Sequence, residues 1–339
     1  MKDPLSIVKL DRRTALTALG AAGAGLLSER LMSMDANPSG GTQDAALDTF
    51  NEKSRHRLHG LLSGPGFSGQ IPSNDVEWLA GSEGKPAPAL MTGLLPLAQT
   101  YARPPISNYR VGAVVRGASG ALYLGANVEF SGQALGFSVH AEQSALSNAY
   151  MHDEGSVSAI AVTAAPCGHC RQFMMELSPE GAIEVIVSGK SPAKLSTLLP
   201  LAFGPKDLGL GYGALPVKEV DLSASGATSD EPVAAALAAA RRAWAPYSKA
   251  PSGVALQTKA GRVHKGSYIE NAAFNPSLPP FETALAALIV AGEDGANISR
   301  AVLVEVEGAS ISQRRVAEAA LSAIAPALRL QVVAAQRRG

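Results

Sequence analysis

PISNYRVGA, residues 105–113, has a counterpart in PYSKAPSGV, residues 246–254, and the fold is read from that pair. Pro105, Ser107 and Gly112 recur as Pro246, Ser248 and Gly253, and further on Gly125 and Glu129 recur as Gly266 and Glu270, at a constant offset of 141 positions. The body of the chain is therefore an internal duplication. Within the first copy, residues 109–116 alternate and are rich in β-formers, 117–120 (GASG) form a turn, and 121–128 form a second strand, giving a hairpin. A helix over about Val139–Tyr150, a buried strand over Ser158–Thr163, a helix over Cys167–Leu177 and a strand over Ala182–Ser188 follow. Alternation of this kind implies a layered α/β core.

Outside the copies, residues 223–230 (SASGATSD) read as a linker, and Glu231-Pro232 opens an Ala-rich helix ending near Trp244. The expected division is an extension over 1–45, a mainly helical segment over 46–103, a first domain over 104–222, a linker over 223–231 and a second domain over 232–339. In the extension, Arg12 and Arg13 precede an uncharged Ala/Gly/Leu run from Thr14 to Leu27, the shape of a twin-arginine export signal, although Asp11 and Ala15 depart from the usual pattern. The other readings are a disordered or amphipathic tail, or a start codon placed upstream of Met32 or Met34. The run is too short and too rich in Gly and Ala for a membrane span. Residues 37–43 read as a polar tether.

Composition narrows the partners. With 46% hydrophobic and 17% charged residues, the 339-residue chain can bury a large core. Its 29 basic residues balance 29 acidic ones, so no global field favours a polyanion or a membrane surface, and small-molecule work is the expectation. Only two cysteines are present, Cys167 and Cys170, so no disulfide framework holds the fold.

The chemistry is read from position. His140-Ala-Glu142 falls at the start of one expected helix and Pro166-Cys-Gly-His-Cys170 at the start of another, where the helix dipole favours thiolates and other negative charge. One histidine and two cysteines are three zinc ligands, an arrangement that leaves a fourth position for water and suits catalysis better than structure. Glu142 is then free to act as general acid and base. Taken alone, the Cys-x-x-Cys pair fits zinc, a redox couple or packing, and it is the combination with His140 and Glu142 that favours zinc. His169 is left as a bystander, and His56, His59, His152 and His264 are read as exposed.

Residues 105–113, 125–129 (GANVE), 139–145 (VHAEQSA) and 166–173 (PCGHCRQF) together resemble the zinc-dependent cytidine/deoxycytidylate deaminase family, in its larger homodimeric two-domain class. The resemblance extends through 203–207 (FGPKD) and 251–255 (PSGVA) to 271–276 (NAAFNP), and covers about 90–335. It implies a duplicated three-layer α/β/α sandwich with a mainly helical N-terminal segment. It also implies one Zn2+ per chain on His140, Cys167 and Cys170, and hydrolysis at the C–N bond of a cyclic amidine. Cytidine and 2′-deoxycytidine would become the uridine nucleosides with release of ammonia, a step of pyrimidine salvage. Glu142 would shuttle the proton. Asn127 and Glu129, with Val128 between them, match the positions that hold the ribose. Tyr109 matches an aromatic position, usually Phe, that packs on the pyrimidine, and the backbone at Ala141 and Ala165 would read the base edge. The implied partners are a small nucleoside and a second copy of the chain, with no nucleic acid and no stable membrane association, and the implied compartment is the cytoplasm unless the export signal operates.

In the second copy Pro279-Pro-Phe281 stands where His140-Ala-Glu142 would recur, and about Ala309 and Ser312 stand where the cysteines would. Every ligand is gone. That copy is expected to supply core and dimer surface, with the loop 271–280 reaching the catalytic site through Phe274 across the dimer interface. Two alternatives remain: a polynucleotide cytidine deaminase, and a non-catalytic Cys-x-x-Cys redox or binding protein.

Overall fold

In the structure, a computed structural model whose described residues are 40–178, 180–224 and 229–338, the duplication takes the form of two sheets with the same core strand order. The N-terminal segment contains α1 (Gly40–Ala46), α2 (Glu52–Leu62), β1 (Gln70–Ile71), α3 (Ser73–Glu83), α4 (Ala87–Gly93) and α5 (Leu95–Thr100). The first repeat continues with β2 (Gly112–Gly117), β3 (Leu122–Ala126), α6 (Ala141–Met151), β4 (Val157–Val162), α7 (Gly168–Leu177), β5 (Glu184–Val187), β6 (Ala193–Lys194) and α8 (Leu195–Leu198). The second sheet and its helices are β7 (Leu222–Ala224), α9 (Glu231–Arg241), β8 (Ser252–Thr258), β9 (Val263–Ser267), α10 (Pro280–Val290), β10 (Ile298–Val306), α11 (Arg314–Ile324) and β11 (Leu330–Arg337).

The first sheet runs β1-β3-β2-β4-β5-β6 and the second β7-β11-β10-β8-β9. The shared order is β3-β2-β4-β5 against β9-β8-β10-β11. In each, the hairpin pair and its central neighbour are antiparallel, while β4–β5 and β10–β11 are parallel and joined through α7 and α11. The central strands supply the core: Val114, Leu124, Ile160 and Val162 in one sheet, and Val254, Leu256, Val302 and Val304 in the other, are all fully buried.

The glycines that mark the repeat are where helices lie against the sheets. A Cβ on Gly125 would sit 2.1 Å from Ala145 N and 2.6 Å from Ala141 O of α6, and one on Gly266 would sit 2.2 Å from Ala284 N and 2.5 Å from Pro280 O of α10. Gly112 likewise meets Gln99 N of α5 at 2.7 Å, and Gly253 meets Ala240 N of α9 at 2.3 Å. Gly112 pairs with Ala126 and Gly125 with Ala113, so neighbouring residues of the ladder put α5 and α6 on opposite faces of the sheet. The same register in β8 and β9 puts α9 and α10 on opposite faces of the second. The three-layer α/β/α sandwich is thereby present twice.

Several boundaries differ from expectation. Helix α5 lies on β2 as α9 lies on β8, so the first repeat begins before residue 104. Leu222–Ala224 forms a strand paired with β11, because its backbone completes the second sheet's edge, so that part of the expected linker belongs to the second sheet. The hairpin strands are shorter than 109–116 and 121–128 because the Asn127 side chain takes the Val111 N–H and the Tyr109 carbonyl out of the ladder. Gly40–Ala46 is helical, overlapping the expected tether. The twin-arginine stretch and residues 225–228 of the linker lie outside the described residues. Among the described residues no helix is long and apolar enough to cross a membrane.

Candidate functional site

His140 is the N-cap of α6 and Cys167 the N-cap of α7, with Cys170 in the first turn of α7. Both caps have extended backbone, which aims each side chain outward past the first free N–H groups of its helix. The two helix starts bring three donor atoms together. His140 Nδ1 lies 3.2 Å from Cys170 Sγ and 3.5 Å from Cys167 Sγ, and the two sulfurs are 3.7 Å apart. A tetrahedral zinc centre, with bonds of about 2.3 Å to sulfur and about 2.0 Å to nitrogen, has ligand–ligand edges of roughly 3.5–3.8 Å. The triangle fits zinc in size and in donor chemistry, and it is the cluster that could hold a metal among the described residues.

Electrostatics agree with that reading. The two sulfurs are in hydrogen-bond contact, and this contact above all draws the Cys167 thiol down to about 4, against the cost of burial and with help from the Cys170 backbone and His140. Cys170 moves up, for the same hydrogen bond and for its burial. The pair shares a proton that a dication would displace. Glu142, in the first turn of α6 and 4% exposed, has its carboxyl raised by burial, partly offset by its own backbone N–H and by His140. A carboxyl in that state is suited to holding and releasing a proton.

Above the triangle is a cavity of about 390 Å³ whose lining includes Tyr109, Asn127, Glu129, His140, Glu142 and Cys167. Ala141, Ala164 and Ala165 also border it, so the structure places the two alanines expected to read the base edge, Ala141 and Ala165, on the cavity wall. Asn127 accepts from Val111 N at 2.8 Å and donates to Tyr109 O at 2.9 Å, fixing the segment that carries the Tyr109 ring. Glu129 accepts from Ile106 N and Ser107 N at 2.9 Å each and from Ser107 Oγ at 2.5 Å. An ionised carboxylate has about four acceptor sites and the Asn amide two donors, so each of these side chains keeps one hydrogen bond for a ligand.

One expected site residue lies elsewhere, and one stands apart from the cavity within its own chain. Val128 is 1% exposed, bridges Arg103 and Val139, and is absent from the cavity wall, because strand alternation turns it inward between Asn127 and Glu129. Phe274 is 66% exposed and borders a separate cavity of about 340 Å³ with Tyr247, Tyr268 and Glu270, so within its own chain it does not meet the catalytic one.

The second-copy counterparts also shift. Pro279 caps α10 as His140 caps α6, and Phe281 holds the place of Glu142, as expected. The N-cap of α11 is Gln313, however, so the cysteine positions fall at Gln313 and Val316, not at about Ala309 and Ser312; a longer loop after β10 delays the helix.

His169 stands outside the triangle, its ring stacked 5.8 Å from that of His140 and its Nε2 3.2 Å from Gln143 Nε2. His56 is exposed. His152 and His264 are half-buried, because the first joins the loop at Ser68 to α6 at Asn148 and the second joins β9 to the turn after α10 at Glu293.

Sequence reasoning did not single out Ser107, Ser138 and Leu135 as cavity residues, nor Gln143, which accepts from His140 N at 3.2 Å. Ser107 carried a signal, since it recurs as Ser248 and stands beside the repeated proline.

Two family models, both described as cytidine and deoxycytidylate deaminase zinc-binding region, match residues 88–186 and 195–318. The chain is 43% identical over 267 residues to a cytidine deaminase of Serratia proteamaculans (strain 568), covering 79% of this chain and 90% of that protein. It is 43% identical over 265 residues to one from Pectobacterium carotovorum subsp. carotovorum (strain PC1), covering 78% and 89%. A cytidine deaminase of Vibrio vulnificus (strain CMCP6) is 43% identical over 281 residues, covering 83% and 95%.

Proposed function

The chain belongs to the cytidine and deoxycytidylate deaminase family, and from that premise we propose that the cavity over His140, Cys167 and Cys170 converts cytidine and 2′-deoxycytidine to uridine and 2′-deoxyuridine with release of ammonia. The observation that carries this assignment of the site is the ligand triangle opening into the cavity beside the buried carboxyl of Glu142. Zinc held by the three side chains supplies a Lewis acid that makes water a competent nucleophile near neutral pH. Glu142 takes the proton that water gives up and delivers it to N3 of the pyrimidine, then takes the proton of the new C4 hydroxyl and passes it to the departing amine. The spare hydrogen bonds of Asn127 and Glu129 go to the ribose 3′-hydroxyl. A substrate lacking that hydroxyl would leave them unpaired, which is the basis for selecting a nucleoside over a free base. Tyr109 covers the ring.

The second repeat, stripped of ligands, serves as scaffold, and the enzyme works as a homodimer in pyrimidine salvage. Tyr109 at 62%, Leu135 at 73% and Phe274 at 66% exposure are apolar surface that a second copy would cover, and Phe274 would then reach the partner's cavity. Sedimentation of the full chain checks the dimer. The cytoplasm suits a site that depends on two reduced thiols. If the extension directs export, the folded, zinc-loaded protein would be the cargo.

The test follows cytidine by ultraviolet absorbance beside a cytosine-containing oligonucleotide, with zinc content measured on the same samples. Wild-type protein is expected to turn over the nucleoside and not the oligonucleotide. Glu142→Gln should keep its zinc and lose about 10²–10⁴-fold in kcat. Full activity in a zinc-loaded Glu142→Gln protein would overturn the mechanism, and turnover of the oligonucleotide alone would favour the polynucleotide reading.

A further inference from the structure

Glu176, on α7, is fully buried, yet no Lys or Arg among the described residues pairs with it. Its carboxylate is held instead by three donors from the second repeat. Oε1 accepts from Trp244 Nε1 and from the Tyr247 hydroxyl, each at 2.6 Å, and Oε2 accepts from Ala272 N at 2.8 Å. A buried carboxylate is tolerated only when its acceptor sites are filled in this way, so the arrangement has little freedom to relax.

The same loop of the second repeat is bonded to both metal-bearing helices. Asn271 Nδ2 donates to Gln172 O of α7 at 2.9 Å, one turn before Glu176. Gln143 of α6 reaches the other end of the loop, with its Nε2 3.5 Å from Pro276 O, while its Oε1 accepts from His140 N. The loop is stiffened internally by Asn271 N to Ser277 Oγ at 3.0 Å and by Ala273 N to Asn271 Oδ1 at 3.0 Å. One segment of the ligand-free repeat therefore touches the helix that begins at His140 and the helix that carries Cys170.

We infer that Glu176 is a positioning residue for the metal site: by anchoring Trp244, Tyr247 and Ala272 it fixes the loop 271–277, which sets the spacing between the starts of α6 and α7 and hence between His140 and the two cysteines. The inference rests on the deaminase reading for the identity of the metal. Glu176 lies six residues after Cys170, fewer than two helical turns, so a shift of its anchor moves the ligand as part of one rigid rod. It gives the second repeat a part in the chemistry of the first, although it holds no ligand itself.

The test uses the full-length zinc-loaded protein and two variants. Glu176→Gln replaces one acceptor oxygen with an N–H group that faces other donors, and Tyr247→Phe removes a single hydroxyl donor while keeping its ring. Zinc affinity is measured by competition with a chromogenic chelator, thermal unfolding on the same samples, and kcat per bound zinc and KM with cytidine. Expected is a loss of about tenfold in zinc affinity for Glu176→Gln and roughly threefold for Tyr247→Phe, with kcat per bound zinc reduced and KM changed by less than about twofold. Folded variants that hold zinc at wild-type affinity and turn over at the wild-type rate per zinc would overturn the inference, even if both unfold at lower temperature. Should Glu176→Gln fail to fold, Tyr247→Phe decides alone. Wild-type protein that binds zinc but leaves cytidine intact would sink the deaminase reading and leave the affinity comparison still decisive here.

Discussion

Ser107 donates its hydroxyl to Glu129 at 2.5 Å, and the turn this closes is repeated in the second half of the chain by Ser248 and Glu270. In both copies the carboxylate also takes the two preceding backbone N–H groups, from Ile106 and Ser107 or from Tyr247 and Ser248. The second copy keeps the turn without a metal ligand near it. The pair is thus first a device for folding the repeat, and in the catalytic half the same carboxylate borders the cavity that also contains His140, Glu142 and Cys167.

Glu129 should accordingly contribute to stability as well as to substrate binding. Burial alone would raise its carboxyl, but the bonds from Ser107 and Ile106 outweigh that and hold it below the ordinary value of 4.5. A depressed carboxyl stabilises the fold above its unfolded-state value, and that contribution is lost as pH falls through the folded-state value. Glu129→Gln is expected to cost about 1 kcal/mol at neutral pH, allowing for partial exposure, and less at a pH well below 4.5. Urea midpoints at the two pH values check this.

Asn127 is predicted to act on KM. Asn127→Ala frees both Val111 N and Tyr109 O, loosening the segment that carries the aromatic wall, and should raise KM for cytidine about tenfold, the equivalent of roughly 1.4 kcal/mol. Asn127→Asp keeps the acceptor for Val111 and should fall between. A KM unchanged in both would show that the Tyr109 segment is held by other contacts.

Gly125 tests the layered packing. Gly125→Ala drives a methyl group into the backbone of α6 and should destabilise by about 3 kcal/mol or more, with Gly266→Ala behaving alike against α10. Gly136, with nothing within 4 Å of an added Cβ, should accept alanine within about 0.5 kcal/mol. Thermal melts of the three variants make the comparison.

Glu282 should make the protein less stable as pH rises. It is fully buried in the first turn of α10, its Oε2 has no hydrogen-bond partner among the described residues, and burial pushes its carboxyl up to about 8. Between about pH 4.5 and 8 it is neutral when folded and ionised when unfolded, so the unfolded state binds fewer protons and stability falls across that window. Glu282→Gln removes the slope and should gain on the order of 3 kcal/mol over wild type near pH 8, with little gain near pH 4.5. Parallel urea titrations along the window would expose the idea as wrong if the two proteins kept a constant difference.

The metal ligands and Glu142 were legible from spacing because each lies within one helical turn of a helix start, and a helix start is written locally by its cap and the residues after it. The duplication was legible because its glycines, serines and acidic residues keep one offset. The differences are of another kind. Val128 sits between two cavity residues and is turned away by strand alternation. Phe274 borders a cavity of its own repeat, and its expected contact belongs to an interface between two copies of the chain. Strand β7 pairs with β11, more than a hundred positions away.

Reading the residues in order was enough to establish two copies of one α/β unit, one with a His-Cys-Cys triangle and a free glutamate and one without, because repeat spacing, helix caps and ligand chemistry act over a few neighbouring residues. Tertiary structure alone decided that the copy without ligands grips the copy with them, through Glu176, Asn271 and Gln143. Those bonds join residues 68 to 133 positions apart. Nothing in the local sequence around a buried glutamate names its donors, since they are chosen only when the two finished repeats pack together.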